Sequence, residues 1–595
     1  MPRKSFLLAA AAALIAILTF AHARAATLLA AATAQTPSDA AWNALVDDFF
    51  DNVYFKYAPT AGTLSGFHQY DTQLEDYSRE AVTKQIADLH AMENRVEAVD
   101  ATKLSPAESA DRELVLNSIR GTLLTLEVIR PWEKNPDIYS SGISDSVFTI
   151  MSRKFASPDA RLALVVAREK QMPAVFAAAH ANLKNPPHIY TEIALQQLPD
   201  IISFFQNDVP SAFKDATDPA VKAEFDKSNA AVIANLQAYQ KWLQLEVLPN
   251  SKGDFRIGAD TFSKKLEYDE MVDTPLDRLL EIGTANLRQN QNEFNRIAKE
   301  IDPSKPPMEV LAELEKDHPA PDQLLQTFRD TFSSLIGFIQ TKHIITIPSE
   351  VRPILEETPP FMRATTEASM DTPGPYEKVA TEAYFNVTLP GARDTPEEVE
   401  GRMGVFNRGT IVSTSVHEAY PGHYIQFLWM AQAPTKVRKL IGSATNAEGW
   451  AHYCEQMMLD QGYNQPGVGA KDERDSKMLR LGQLQDALLR NARFIVGIKM
   501  HTGKMTFDEG VKFFETDGYQ TPKSALVETM RGTSDPTYLY YTLGKLQILK
   551  LRADMQKKQG SSFSLEQFHD DFMKQGFPPI KIVRQAMLGD NSPTL

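Results

Sequence analysis

Three short strings constrain this chain most: Ser105-Pro106-Ala107-Glu108, Ser157-Pro158-Asp159-Ala160 and Thr274-Pro275-Leu276-Asp277. Each sets a hydroxyl before a proline. The hydroxyl can accept from the first free amides of a helix, and the proline tolerates the first turn because its missing N–H is not needed there. Long stretches with apolar residues at every third or fourth position surround or follow them, at 106–130, 158–184, 218–248 and 275–302. The same spacing runs through Trp42, Leu45, Val46, Phe49 and Val53, behind the caps Ser38 and Asp39. This periodicity predicts a mainly α-helical, multi-helix body. It breaks at about 347–402, where prolines cluster and Phe361–Thr366 and Ala383–Thr388 alternate as short strands do. Helices resume at about 403–432, 437–463, 470–502, 507–517, 522–532, 537–558 and 564–575. The expected layout is an N-terminal helical region (26–350) and a C-terminal region (351–595) holding a small β insertion and the site. One continuous body over 38–590 is equally consistent.

Residues 1–25 read as a secretory signal peptide. Arg3 and Lys4 precede an apolar run from Phe6 to Phe20, too short to span a bilayer comfortably, and small-residue cleavage patterns end at Ala23 and Ala25. A periplasmic or secreted location follows, with no stable membrane insertion after cleavage. No cysteine follows the apolar run, so a lipid-anchored start is not expected. The only cysteine, Cys454, excludes an intrachain disulfide and reads as a small buried residue. The net charge of −14, with no basic run, excludes nucleic acid as a partner, because phosphate contacts need clustered Lys and Arg. Oligomeric state is not legible.

Chemistry concentrates in His417-Glu418-Ala419-Tyr420-Pro421-Gly422-His423. Two imidazoles and a carboxylate are what a hydrolytic zinc site uses: two ligands, and a base for the attacking water. The six-residue spacing differs from the usual one-turn spacing. At about 100° per residue the two histidines of a straight helix would stand about 240° apart. Pro421-Gly422 resolves this, since proline breaks the helix and glycine permits the turn that brings His423 back. A third ligand should come from a second helix. Glu448, His452 and Glu455 fall at i, i+4 and i+7, a polar stripe on an otherwise apolar face. Glu448 is assigned as ligand, with His452 or Glu455 orienting a ligand from behind.

HEAYPGHYIQ, EGWAHYCEQ, RFIVGIKMH, YLYYTLGKLQILKLR and FHDDFMKQG together resemble the bacterial domain-of-unknown-function family 885, from about Trp42 to Met587. The resemblance implies a helical, cleft-shaped zinc-peptidase-like protein, similar in plan to Glu-zincin carboxypeptidases and oligopeptidases. It implies the metal set His417, His423 and Glu448, the base Glu418, and Tyr541 as donor to the oxyanion. The family's D-T-G is replaced here by Gly497, Ile498 and Lys499, between the matching Arg493 and His501.

The sequence thus predicts a zinc metallopeptidase with one Zn2+ per chain, acting on short peptides, with Glu418 as base and Tyr541 or His501 at the oxyanion. Arg493 and Arg531 either clamp a substrate carboxylate or close internal ion pairs. Tyr384 and Asn386 lie on a strand that would pair with extended substrate. The alternatives are a zinc hydrolase of non-peptide amides or esters, or a non-catalytic metal-containing binding protein. No GxSxG, P-loop or dinucleotide fingerprint is present.

Overall fold

The structure, a computed structural model, describes residues 40–358, 367–391 and 394–595. The leader at 1–25, the caps Ser38 and Asp39 and the expected strand at Phe361–Thr366 lie outside the described residues. The remainder is mainly helical with one small sheet. Ser105 caps Pro106–Leu123 through a reciprocal bond with Glu108, and Ser157 caps Pro158–Glu169. Thr274 does not cap, because Pro275 itself occupies the capping position of the helix α1, Leu276–Ile301.

Some expected helices are subdivided. The stretch 158–184 breaks at Lys170-Gln171 into Pro158–Glu169 and Met172–Asn182. The stretch 403–432 becomes three pieces: the end of Pro396–Val405, then α3 (Arg408–Thr414) and α4 (His423–Met430), once α2 (Leu324–Lys342) and the sheet have intervened. Periodicity alone continues through these breaks, because each piece keeps its apolar face toward the same core.

The sheet has the order β1–β3–β2, with β1 Ile354–Glu357, β2 Ala368–Asp371 and β3 Tyr384–Val387. β3 pairs parallel to β1 and antiparallel to β2. Phe385 packs its ring against Phe328 and Phe332 of α2, which roofs this end of the core.

Four helices complete the frame: α5 (Ala444–Asp460), α6 (Glu473–His501), α7 (Pro522–Ser534) and α8 (Tyr540–Gln559). α6 is braced on α1 by Asn290, whose amide donates to Asn491 Oδ1 at 2.6 Å, and by Asn491, which donates to Asn286 at 2.8 Å. Core clusters mix distant segments. Trp42 to Leu123 pack with Val437 and Ile582, and Leu287 to Leu314 pack with Met478 to Ile495.

α5 and α8 touch backbone to backbone where Gly449 meets Gly544. A methyl at position 544 would lie 1.9 Å from the Thr445 carbonyl oxygen, and one at 449 would lie 2.5 Å from Gly544 Cα. Only glycine allows that approach. Overpacking of this kind costs about 1–3 kcal/mol or more. Gly544→Ala is therefore expected to lower stability by at least about 2 kcal/mol in a denaturant melt, whereas Gly401→Ala, with open space around it, is expected to change little.

Candidate metal centre

α3 does not continue smoothly. Its last turn widens into a π-type turn over Ser415–Ala419, closed by Tyr420 N–H donating to Ser415 O at 2.9 Å. The chain then reverses through a cis Tyr420–Pro421 bond and Gly422 before α4 starts at His423. Gly422 lies directly over the wide turn, and a methyl there would be 1.7 Å from the His417 carbonyl oxygen. Trp450 of α5, fully buried, donates its indole N–H to Pro421 O at 2.9 Å. The reversal is thus pinned to the neighbouring helix.

The result brings His417 and His423 together, with ring centroids 4.9 Å apart and nearly perpendicular. Glu448 of α5 completes the group. Its Oε2 lies 3.3 Å from His417 Nε2 and 3.5 Å from His423 Nε2. Ligand atoms about 2.0–2.2 Å from a tetrahedral ion stand about 3.4 Å from one another. All three donor atoms lie within 4.8 Å of one another, and among the described residues no other group of three is so arranged. Glu448 Oε2 is buried and makes no properly aligned hydrogen bond. A buried carboxylate oxygen facing two imidazole nitrogens without a bond suits a cation held between them. The donor set therefore fits a divalent ion that His417, His423 and Glu448 would hold.

Behind the ligands lies a fully buried carboxylate. Glu455 Oε1 accepts from His417 Nδ1 at 2.7 Å and pairs with the Arg490 guanidinium, whose Nη2 lies 3.1 Å away, while Oε2 faces His452 Nδ1 at 3.0 Å. With Nδ1–H given to Glu455, Nε2 is the His417 nitrogen that faces the centre. Burial would raise Glu455, but Arg490, His452 and His417 overcome it and hold the carboxyl well below its usual range. Burial pushes His452 down to about 3, so it stays neutral. Burial would likewise lower His417, yet the neighbouring Glu448 and Glu455 carboxylates push it up to about 10. The two carboxylates thus favour the protonated His417 ring, and a cation at Nε2 would displace that proton.

Glu418 projects from the same turn. With His417, Arg490, Arg493, Arg531 and Tyr541 it lines a cavity of about 470 Å3. The Tyr541 ring lies 6.4 Å from that of His417, tilted by 28°. On the other side, Glu448 and Tyr540 line a second, more apolar cleft of about 770 Å3 with Phe427, Leu440 and Phe577.

Three expected site residues lie elsewhere. His501 sits eleven residues beyond Arg490, about 16 Å along α6. Its Nε2–H donates to Gly532 O at 2.7 Å, its ring packs on Phe255, and burial pushes it down to about 4. It braces α6 on α7 and does not face the cavity. Tyr384 and Asn386 belong to β3, the central strand, whose backbone is already paired on both sides, and Asn386 is buried. The edge strand at the cavity is β2, whose Ala368 is in its wall. Arg493 is engaged by Glu528 in a two-point pair at 2.6 and 2.8 Å. Sequence reasoning missed Arg490, although its place one turn before the matched Arg493 on α6 was a usable signal. Cys454 is buried, and burial pushes its thiol well up, which leaves it no nucleophilic role.

The sequence profile of the bacterial proteins of unknown function termed DUF885 matches residues 59–587. The chain belongs to this family. No curated protein matches it significantly. Among solved structures, one described as a "putative lipoprotein of unknown function" from Shewanella oneidensis shares 26% identity and a TM-score of 0.75, covering 92% of this chain and 98% of its own. A "putative lipoprotein" from Colwellia psychrerythraea, at 16% identity, shares the fold with a TM-score of 0.77 over the same fractions. Among the described residues of this family member, no helix is long and apolar enough to cross a membrane.

Elemental analysis is expected to find about one zinc per chain, lost in His417→Ala. Glu455→Gln should weaken affinity about 10- to 100-fold by removing the support behind His417. Calorimetry near neutral pH, repeated in buffers of different ionisation heat, should register about one proton released per ion bound.

Proposed function

We propose that the protein is a zinc-dependent hydrolase, a metallopeptidase cutting short peptides outside the cytoplasm. The observation that carries this reading is the convergence of His417, His423 and Glu448, with Glu418 in the wall of a cavity that His417 also lines. A structural zinc site has four protein ligands and no base at hand. A bound divalent ion would acidify a water and polarise a carbonyl there.

The chain's own groups supply the rest. His417, His423 and Glu448 would hold the ion, and Glu455 keeps the His417 ring in the ligating tautomer. Glu418, half-buried in the cavity wall, accepts the proton of the attacking water and passes it to the leaving amine. Tyr541 carries its hydroxyl 3.4 Å from Arg531 Nη2, in the same wall. That hydroxyl is the proposed donor to the oxygen on which charge develops.

Cavities of about 470 and 770 Å3 suit a few residues of extended chain rather than a folded protein. The export-like leader and the two solved neighbours described as lipoproteins support a location outside the cytoplasm.

Glu418→Gln is the decisive variant. Hydrolysis of a peptide library, read by mass spectrometry, is expected to fall about 100-fold or more while zinc content stays unchanged. Cleavage at the wild-type rate with metal retained would refute the mechanism. A digest in which esters and non-peptide amides are cut but no peptide is would move the reading to another class of zinc hydrolase.

A further inference from the structure

We propose that the cavity beside the metal centre binds a substrate carboxylate through Arg531, close to the bond to be cut. This deepens the hydrolase reading of the same site and rests on it.

Three guanidiniums line that cavity, and two are already engaged. Arg493 is paired at two points with Glu528. Arg490 pairs Nη2 with Glu455 at 3.1 Å and donates Nη1 to the Asp486 carbonyl at 3.1 Å, and its Nε, though without a hydrogen bond, is buried away from the cavity space. Arg531 is different. All its hydrogen bonds come from Nη2, to Asp535 Oδ2 at 3.3 Å, Tyr540 Oη at 3.2 Å and Tyr541 Oη at 3.4 Å. Its Nε and Nη1 make no hydrogen bond among the described residues. Its side chain is 38% exposed, against 8% for Arg493 and 12% for Arg490. Asp535 is moreover shared, since Tyr540 donates to the same oxygen at 2.9 Å.

Of the three acids in the wall, Glu418 makes no bond to Arg531 among the described residues, and the other two are occupied. Glu367 pairs with Arg402 at 3.0 Å, and Asp486 accepts from Ser413 at 2.6 Å, with burial raising its carboxyl. The wall therefore offers one guanidinium edge with two unused donors, and a planar fork of that kind matches a carboxylate.

Position sets the distance from the chemistry. The Tyr541 ring neighbours both groups, 6.4 Å from the His417 ring and 5.9 Å from Arg531 Cζ, so the two lie at most about 12 Å apart. A tail of three residues spans about 10 Å. A carboxylate held by Arg531 thus belongs to a residue within about three of the scissile bond, as a chain terminus or as an Asp or Glu side chain. The apolar cleft on the far side of Glu448 takes the remainder of the substrate.

The test uses the zinc-loaded full chain and three versions of one apolar pentapeptide: free C-terminus, amidated C-terminus, and amidated with Glu in the last position. Wild-type protein is expected to favour at least one carboxylate-bearing peptide over the plain amide by about 10-fold or more in kcat/KM. Which one it favours distinguishes a terminal from a side-chain carboxylate. Arg531→Gln should bring the ratio close to unity, and Arg531→Lys should restore part of it, with thermal melts checking that both variants fold. A wild-type ratio of one, which needs no variant, overturns the proposal, as does a preference that survives Arg531→Gln. If none of the three peptides is cut although zinc is bound, the peptidase reading fails. Calorimetric binding of the same peptides then decides the carboxylate claim, and equal affinity for acid and amide refutes it.

Discussion

The Glu455 carboxylate holds the centre together. It is fully buried on α5, yet three cationic or polar groups from three segments converge on it: His417 from the wide turn, Arg490 from α6 and His452 from its own helix. A buried charge without partners would cost several kcal/mol. Here each oxygen is satisfied, so the same group that would otherwise destabilise the core fixes the mutual position of α5, α6 and the turn. The ligand geometry at His417 Nε2 is a consequence of that arrangement, because the imidazole can satisfy Glu455 only with Nδ1. The approach of α8 to α5 at Gly449 and Gly544 then sets Tyr540 and Tyr541 on the two flanks of the site.

Much of the fold was legible because local signals and packing agree. Ser105 and Ser157 cap as their strings predict, and the C-terminal helices α6, α7 and α8 begin and end within a few residues of the periodic stretches. The failures share one cause. At Lys170-Gln171 and at 415–422 the chain bends while the apolar face continues, so the period carries no mark of the bend. The strands were harder. β1 and β2 are four residues each, half-exposed, and gain their pairing only from β3, so neither contains enough alternation to stand out. β3 was visible through its apolar core residues Phe385 and Val387, but that same burial made it central, and the edge at the cavity went to β2.

The site divides in the same way. The convergence of His417, His423 and Glu448 was readable because these residue types stand at positions that helical geometry relates. The role of His501 was not, because a motif match carries no distance. It shares α6 with Arg490 but lies three turns further along, where it serves helix packing. Arginines are the least legible group. Arg490, Arg493 and Arg531 look alike in sequence, and only the acids brought by tertiary structure separate an engaged guanidinium from an open one.

The lengthened histidine spacing has a structural meaning beyond tolerance. In a one-turn motif both imidazoles leave one helix face, and the backbone between them stays helical. Here His417 ends one segment and His423 begins the next, with the chain doubled back between them so closely that only glycine fits at 422. The two ligands can therefore be positioned separately: His417 by Glu455 from beneath, His423 by α4 and the Trp450 bond to Pro421. That separation also opens the centre on two sides. A continuous helix would wall off one of them, whereas the reversal leaves the Glu418 and arginine cavity on the His417 side and the apolar cleft on the Glu448 side. On the proposed reading, an extended chain crossing between His417 and Glu448 would meet opposite chemistries on the two sides, and that asymmetry would give it a direction.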